Sequence, residues 1–441
     1  MIKFESMEKN NLNLALAQLK IVQCSFLKWR TFSLDDRLAV VEDIKNQLLE
    51  NKHMYAKAIT TDMNKPISQS LAEVEKCAYL CDYYLENASK FLEKQYIQTG
   101  WSKSYIDYQP LGVLLGVMPW NFPFWQVFRF VIPSLITGNT FAIKHASNVK
   151  QCAQLLEEVF SSKKINFPIY VNLDIKSDDV KHIIADPIIK AVSLTGSEKA
   201  GSAVAVEAGK YLKKCVLELG GSNAFIVLED ADLDKTLDKA VKARMQNAGQ
   251  SCIAAKRFLV HEAIYDKFLE GFIERVKQLN VGDKFDETTD FSSMAREDLA
   301  IELENQLSES LQLGAELIIG GKRNGSFFEP TVVGNVNMQM PIANQETFGP
   351  LAAVFKIKNV NEAIEISNQS DFGLGVSVFT NDIEKINKHL HLFEEGAVFI
   401  NEMVVSDPHL PFGGIKKSGY GRELSHLALY EFANIRTVVI K

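Results

Sequence analysis

The segment AVSLTGSEKAG, residues 191–201, decides the fold class, because an apolar strand runs directly into a Gly-Ser turn that opens a helix. Backbone amides at such a helix N-terminus attract phosphate groups. The segment lacks the GxGxxG spacing, so ordinary capping of the helix by Ser197 explains the turn equally well. A strand-turn-helix unit is therefore predicted here, with phosphate binding as one of two interpretations.

Further strand and helix patterns lie on both sides of this segment. Upstream, we predict apolar strands at 113–118 and 140–144 and a helix at 149–161. Downstream of Cys252, a second series is predicted: strand 257–260, helices 263–279 and 298–313, strands 317–320 and 352–356, and helix 360–368. Alternation of strands and helices is typical of parallel α/β sheets. The sequence therefore predicts two α/β domains.

The two ends of the chain have different patterns. Between residues 12 and 92, apolar residues recur at intervals of three and four, which predicts amphipathic helices. Residues 94–108 alternate and contain several aromatics, which predicts a hairpin, and residues 436–441 predict one more β segment. The exposed edges of such a hairpin require a partner.

Composition excludes several classes of protein. The 441 residues are 46% hydrophobic and 23% charged, a balance typical of globular proteins. A net charge of -7 argues against nucleic acid and anionic membranes as partners. The most apolar stretch, 110–125, is shorter than the roughly 20 residues of a membrane span, and the N-terminus does not resemble a signal peptide. The six cysteines lack metal-ligand spacing, so we expect no metal and reduced thiols in a cytoplasmic protein.

Two segments carry candidate reactive groups. Cys252 ends the sequence NAGQSC, residues 247–252, where small and polar residues surround a thiol. Only about 3% of an unperturbed thiol is ionised at pH 7, so a nucleophilic Cys252 needs amides or a dipole that lower its pKa. Glu218 lies among apolar residues in LELGG, residues 217–221, which should raise its pKa and suit a general base. A buried structural cysteine and a solvent-facing glutamate are the alternatives.

Two rigid turns carry further candidates. In PWNFP, residues 119–123, two prolines fix the backbone around Asn121, whose amide suits an oxyanion hole; it could equally satisfy loop backbone. In QETFGP, residues 345–350, Glu346 and Phe348 could contact a ribose and a ring, or form a surface turn.

Together these segments resemble the aldehyde dehydrogenase superfamily in order and rough spacing. The matching segments are PWNFP with Asn121, FAIKHAS with Lys144, residues 196–201, LELGG, NAGQSC, QETFGP, and PFGGIKKSGYGRE with Phe412. Within the superfamily, HASNV, GQSCIAAKRF and GYGRELSH are most similar to the short succinate semialdehyde dehydrogenases. The resemblance runs from about residue 12 to the C-terminus.

The resemblance implies a fold with three parts. We expect a Rossmann-type cofactor domain at 1–93 and 111–219, an α/β catalytic domain at 220–425, and an oligomerisation arm at 94–110 and 426–441. Since the arms of this family extend the sheet of a neighbouring subunit, a homodimer or homotetramer is expected.

The resemblance also implies a mechanism. Cys252 attacks an aldehyde, Asn121 and the Cys252 amide hold the oxyanion, hydride passes to NAD or NADP, and Glu218 activates the water that hydrolyses the thioester. The implied cofactor-binding residues are Trp120, Lys144, Ser147, Gly196, Ser197, Gly201, Leu219, Glu346 and Phe348. The neutral Ser147 beside cationic Lys144 leaves room for a 2′-phosphate, which favours NADP over NAD.

The substrate expectation rests on Arg129. This arginine lies in the largely apolar run 122–136, where an unpaired cation is costly, so it needs an anion. By the resemblance it binds the distal carboxylate of succinate semialdehyde, with Ser251, Ser406, Trp125 and Phe412 around the substrate. Alternatively, Arg129 pairs with a protein acid, and the enzyme accepts aliphatic or aromatic aldehydes broadly. A CoA-acylating semialdehyde dehydrogenase is a further alternative, against which Glu218 argues.

Overall fold

The computed structural model describes residues 2–441, with side chains described from residue 11 onward. The α-helices are α1 (Ile2–Trp29), α2 (Leu34–Glu50), α3 (Lys52–Met63), α4 (Ile67–Phe91), α5 (Trp125–Thr137), α6 (Lys150–Val159), α7 (Val180–Ala185), α8 (Glu198–Lys210), α9 (Leu233–Met245), α10 (Tyr265–Lys277), α11 (Glu297–Gln312), α12 (Pro341–Asn344), α13 (Val360–Asn368), α14 (Ile383–Asn387) and α15 (Leu427–Glu431).

The strands alternate with these helices through most of the chain. They are β1 (Gln95–Tyr96), β2 (Lys103–Pro110), β3 (Val113–Met118), β4 (Thr140–His145), β5 (Tyr170–Asn172), β6 (Ile189–Thr195), β7 (Lys214–Glu218), β8 (Asn223–Val227), β9 (Ala255–His261), β10 (Glu316–Ile319), β11 (Arg323–Asn324), β12 (Phe327–Phe328), β13 (Thr331–Gly334), β14 (Leu351–Ile357), β15 (Phe372–Gly373), β16 (Val376–Phe379), β17 (Val398–Ile400), β18 (Ile415–Lys416), β19 (Gly419–Tyr420) and β20 (Ala433–Ile440).

The first large sheet has six strands in the order β19-β7-β6-β3-β4-β5. Its five strands from β7 to β5 are parallel, and β19 joins the edge antiparallel to β7. Strands β3 and β4 are almost wholly buried because helices cover both faces of the sheet, which explains their continuous apolar sequences. The predicted strand 113–118 is confirmed with the same bounds as β3.

The second large sheet has seven strands in the order β10-β13-β14-β9-β8-β16-β17. Its neighbours are parallel except for β10, which pairs antiparallel with β13 at the edge. The expected second α/β series after Cys252 is therefore confirmed, and the predicted helix 360–368 has the bounds of α13.

The predicted hairpin is also confirmed and contains a third strand. Strand β1 pairs with β2, and β2 pairs along its whole length with the C-terminal β20. The buried Asp107 accepts two hydrogen bonds from Arg436 across β2 and β20, which ties the chain terminus to the hairpin. Within residues 2–441, no helix combines the length and apolar character that a membrane crossing requires.

A buried ion pair joins the N-terminal helices to α5. The Lys65 ammonium lies 2.5 Å from the Glu73 carboxylate, and both side chains are almost fully buried. The second Glu73 oxygen accepts hydrogen bonds from the backbone N–H groups of Phe124 and Trp125 at the start of α5. Glu73 therefore satisfies two helix N-terminal donors and fixes where α5 begins.

We predict that Glu73→Ala destabilises the protein by about 3–5 kcal/mol, because it leaves the Lys65 charge and two amides buried without a partner. The midpoint of urea unfolding, followed by tryptophan fluorescence, measures the loss. The matched control is Glu75→Ala on the same helix, whose ion pair with Lys52 is solvent-exposed and contributes at most about 1 kcal/mol. Equal losses in the two variants would contradict the role of Glu73.

Candidate active site

Two cavities meet at the Cys252 side chain. A large groove of about 830 Å³ runs along the carboxyl ends of β3, β4 and β6, where open α/β sheets bind ligands. A smaller cavity of about 160 Å³ lies on the other side, between α4, α5 and the loop that contains Ser406. Cys252 and Gln126 line both cavities. Cys252 therefore lies at the junction of the two cavities.

The turn before Cys252 has an unusual backbone. Asn247, Ala248 and Gly249 follow one another with φ values of 54°, 50° and 71°, in the left-handed region that side chains with a Cβ rarely adopt. At Gly249 there is no room for a side chain, because an added Cβ would overlap the carbonyl oxygen of Gly349. The small residues of NAGQSC thus allow a tight turn that ends in the thiol.

Buried hydrogen bonds hold this turn in place. The Arg244 guanidinium donates to the carbonyl oxygens of Gly249, Gly349, Thr347 and Ala255. The Asn247 amide donates to the carbonyl oxygens of Asn121 and Gln250. Arg244 was not predicted as a site residue, because nothing in its local sequence indicates that it faces inward.

Asn121 lies in the groove wall with its side chain fixed at both ends. Its Oδ1 accepts a hydrogen bond from Gln126 at 2.9 Å, and its Nδ2 donates to the carbonyl oxygen of Gln250 at 3.1 Å. An amide nitrogen carries two donor hydrogens, so one remains for another acceptor. The predicted rigid amide is therefore present.

The pKa of Cys252 differs from the sequence expectation. Burial raises the pKa of the thiol above its usual value, and Arg129 and Lys256 offset only part of that rise. The requirement that the surroundings lower this pKa is thus not met by the structure as it stands. The main reason is burial, and the carboxylates of Glu346 and Glu218 add to the rise against the two cations.

Lys256 is a second residue that the sequence analysis missed. Its buried ammonium donates hydrogen bonds to the carbonyl oxygens of Ser251 and Cys252 at 2.8 and 2.7 Å, and it lies 3.1 Å from Glu346. The same Glu346 oxygen accepts the Gly221 N–H at 3.0 Å. Lys256 therefore connects the backbone of the cysteine to an acid of the groove.

Glu218 ends β7 as a buried carboxyl, and the expected rise of its pKa is confirmed in direction. Burial raises the pKa well above its usual value, and the nearby Glu423 adds to the rise. Neither carboxylate oxygen has a hydrogen-bond partner among the residues that the structure describes. The lining of the two cavities does not include Glu218.

Arg129 is ion-paired with a protein acid, which is the alternative that the sequence left open. Its Nε donates to the carboxylate of Glu423, and both side chains are only 3% exposed. The pairing follows from the fold, because Phe412 and Glu423 exchange backbone hydrogen bonds at 2.7 Å next to α5. Arg129 still lines the small cavity, and within residues 11–441 its Nη2 has no hydrogen-bond partner.

Most of the predicted cofactor residues line the groove. They are Trp120, Lys144, Gly196, Ser197, Leu219, Glu346 and Phe348. Ser197 caps α8, and its side chain accepts a hydrogen bond from the Ala200 N–H. Helix capping, one of the two interpretations of this turn, is therefore present. Two predicted residues are not in the groove lining: Ser147 lies exposed on the turn after β4, and Gly201 packs against the Leu219 side chain.

The predicted substrate residues meet around the small cavity. Trp125, Ser251, Ser406 and Phe412 line it together with Arg129. The Arg129 guanidinium lies 4.5 Å from the centre of the Phe412 ring, and the Trp125 indole donates to the Ser406 hydroxyl at 3.1 Å. The structure thus brings together residues that are far apart in the sequence: Trp125 and Phe412 are separated by 287 positions.

A parallel sheet with a groove at its carboxyl edge, and a cysteine placed at that groove beside a second α/β sheet, are the features of a dinucleotide-dependent enzyme class. A family model described as "Aldehyde dehydrogenase family" matches residues 3–438. The chain belongs to the aldehyde dehydrogenase family, and the predicted resemblance is confirmed.

Curated relatives and solved structures agree with this membership. The chain is 44% identical over 423 residues to the succinate semialdehyde dehydrogenase [NAD(P)+] Sad of Escherichia coli strain K12, covering 95% of this chain and 92% of that protein. It is 45% identical over 391 residues to a succinate-semialdehyde dehydrogenase [NADP(+)] of Mycobacterium avium, covering 87% and 83%. A crystal structure of succinic semialdehyde dehydrogenase from Streptococcus pyogenes with NADP+ has a TM-score of 0.93 and 38% identity, covering 96% and 94%.

We predict that Lys256→Met raises the pKa of the Cys252 thiol, because the variant removes one of the two cations that favour the thiolate. Iodoacetamide alkylation of Cys252, quantified by peptide mass spectrometry across a pH series, should slow several-fold at neutral pH. Lys256→Arg keeps the charge and should stay close to wild type. An unchanged alkylation profile in a folded Lys256→Met protein would contradict the prediction.

Proposed function

We propose that the protein oxidises succinate semialdehyde to succinate with NADP or NAD, and that NADP is preferred. The observation that carries the proposal is the position of Cys252, at the junction between a dinucleotide-sized groove and a small cavity with cationic side chains. The names of the relatives support the same substrate.

The proposed reaction begins with attack of the Cys252 sulfur on the aldehyde carbon. The free N–H of the Asn121 amide and the Cys252 backbone N–H stabilise the resulting oxyanion of the thiohemiacetal. A dinucleotide held in the groove would supply the hydride acceptor for the oxidation that leaves a thioester on Cys252. Water deprotonated by Glu218 then hydrolyses the thioester, which releases the carboxylic acid and the thiol. For this step the Glu218 carboxylate has to turn from its buried position toward the thioester.

The residues present fit a dinucleotide. The Thr195 hydroxyl is buried in the groove wall and has no partner in the described part of the chain, and the Lys144 ammonium has one long hydrogen bond of 3.4 Å to Ser177. We propose that Ser197 and the N-terminus of α8 hold the pyrophosphate, Lys144 the adenosine ribose with its phosphate, and Glu346 and Phe348 the nicotinamide riboside. Trp120, Gly196 and Leu219 complete the wall, while Ser147 and Gly201 act through the shape of the turn and the packing of α8.

The substrate cavity favours a small aldehyde with a distal anion. Arg129 lines the cavity together with Trp125, Ser251, Ser406 and Phe412, which provide an apolar wall with two hydroxyls. A neutral aldehyde would leave this cationic surface without a counter-charge. A broad-specificity aldehyde dehydrogenase remains the second candidate, because Glu423 already neutralises Arg129.

We also propose that the chain assembles as a homodimer or homotetramer in the cytoplasm, with the domain boundaries given by the sequence analysis. The sheet β1-β2-β20 supports the assembly, since its β20 edge exposes the apolar side chains of Ile435, Val439 and Ile440. All six cysteines are free thiols, which supports a reducing compartment.

We predict that kcat/KM for succinate semialdehyde exceeds that for butyraldehyde by roughly a hundredfold or more, equivalent to ~2.7 kcal/mol, because only the former carries a distal carboxylate. Initial rates with each aldehyde, at saturating NADP and then NAD, measure both preferences. Equal rates for the two aldehydes would favour the broad-specificity candidate, and a higher kcat/KM for NAD would refute the NADP preference. Acceleration by added CoA would point to an acylating enzyme instead.

We predict that Glu218→Gln forms the acyl-enzyme but hydrolyses it slowly. Rapid-mixing measurements should therefore show a retained burst of NADPH, followed by a steady-state rate reduced by roughly 10²–10⁴-fold. Cys252→Ala is the control and should show neither burst nor turnover. Loss of the burst in Glu218→Gln would mean that this carboxylate acts before hydride transfer.

A further inference from the structure

Lys76 is a cation of the small cavity that no motif identified. It lies on α4, one turn after Glu73, and its side chain forms part of the cavity wall opposite Arg129 and Phe412. Its ammonium donates a hydrogen bond to the Ser406 hydroxyl at 2.8 Å and lies 4.3 Å from the Trp125 ring centre. Both of these neighbours are residues that the sequence analysis assigned to the substrate.

The charges around Lys76 leave it without a counter-ion. Arg129 is paired with Glu423, and Glu73 is paired with Lys65 and accepts two backbone amides. Asp407 accepts hydrogen bonds from the backbone and ring of His409. Within residues 11–441, no carboxylate lies within ion-pair distance of the Lys76 ammonium. The positive charge of the cavity is therefore carried by Lys76 and not by the neutralised Arg129.

We propose that the Lys76 ammonium, together with the Ser406 hydroxyl, binds the distal carboxylate of the substrate and makes Lys76 the main determinant of its specificity. This inference rests on the proposed function, because it assumes a substrate with a second, anionic end. Arg129 then positions Phe412 through the contact between its guanidinium and that ring.

The proposal implies a pH dependence with a defined sign. Burial, and next the Arg129 charge, lower the pKa of Lys76 to about 8, against the opposing effects of Cys77, Glu73 and Asp407. A lysine with a lowered pKa is charged below that value and neutral above it. Discrimination in favour of the carboxylated aldehyde should thus be present at neutral pH and decline as the pH rises through about 8.

The test compares succinate semialdehyde with butyraldehyde in wild type, Lys76→Met and Lys76→Arg, with NADP saturating. The measured quantity is the ratio of the two kcat/KM values, in which the ionisation of Cys252 cancels because both aldehydes use the same thiol. We expect Lys76→Met to lower this ratio by roughly 10–100-fold, as for the loss of a hydrogen bond between charged groups, and Lys76→Arg to restore most of it. Lys90→Met, at an exposed lysine on the same helix, should keep the wild-type ratio.

The pH series separates a charge effect from a structural one. In wild type the ratio should fall above about pH 8, in Lys76→Met it should be flat, and in Lys76→Arg the fall should disappear from this range because guanidinium stays charged. A wild-type ratio near one would overturn the proposed substrate itself. A large wild-type ratio that survives in folded Lys76→Met would overturn only the role of Lys76 and return the carboxylate to Arg129.

Discussion

The buried guanidinium of Arg244 is the interaction on which the geometry of the site depends. Three consecutive residues in the left-handed region, Asn247 to Gly249, cost free energy that the surrounding structure has to compensate. Arg244 does this by donating to carbonyl oxygens within the turn, after it and on the 347–349 segment. One side chain therefore fixes the cysteine turn and the segment that carries Phe348 relative to each other, although they are about 100 residues apart. The position of the thiol against the groove follows from that link.

The sequence predicted the fold well because its signals are local or periodic. Buried parallel strands are apolar throughout, so 113–118 could be located to the residue, and the 3.6-residue period located 360–368 as a helix equally well. The three-stranded arm needed two distant segments, yet each had its own β pattern. The order of strands in the sheets was not predictable from these patterns, because neither apolar runs nor helical periods specify which strand lies beside which.

The site was predictable only where a residue's role follows from its own motif. Cys252, Asn121 and the groove residues belong to such motifs, and the raised pKa of Glu218 follows from its apolar neighbours in sequence. The pairing of Arg129 with Glu423 spans 294 positions, and the cation at Lys76 lies on a helix with no unusual composition. Ser147 and Gly201 belong to motifs that were predicted to bind the cofactor, yet neither residue lines the groove. A motif therefore does not guarantee that each of its residues reaches the ligand. The features that could not be predicted are therefore those that depend on side-chain contacts between residues distant in the sequence.

Burial raises the pKa of the thiol, and the two cations near it, which offset part of that rise, are each paired with a carboxylate. Glu423 neutralises Arg129 on the small-cavity side, and Glu346 opposes Lys256 on the groove side. The two carboxylates differ in their surroundings, because Glu423 is buried whereas Glu346 is about one-fifth exposed in the groove wall. Of the two carboxylates, Glu346 is the one that a molecule in the groove can reach and draw away from Lys256. Since a cation without its counter-charge favours the thiolate, whatever engages the Glu346 carboxylate also lowers the pKa of Cys252. Electrostatics thus links the protonation of the thiol to the occupancy of the groove through Lys256, which contacts both the Cys252 backbone and Glu346.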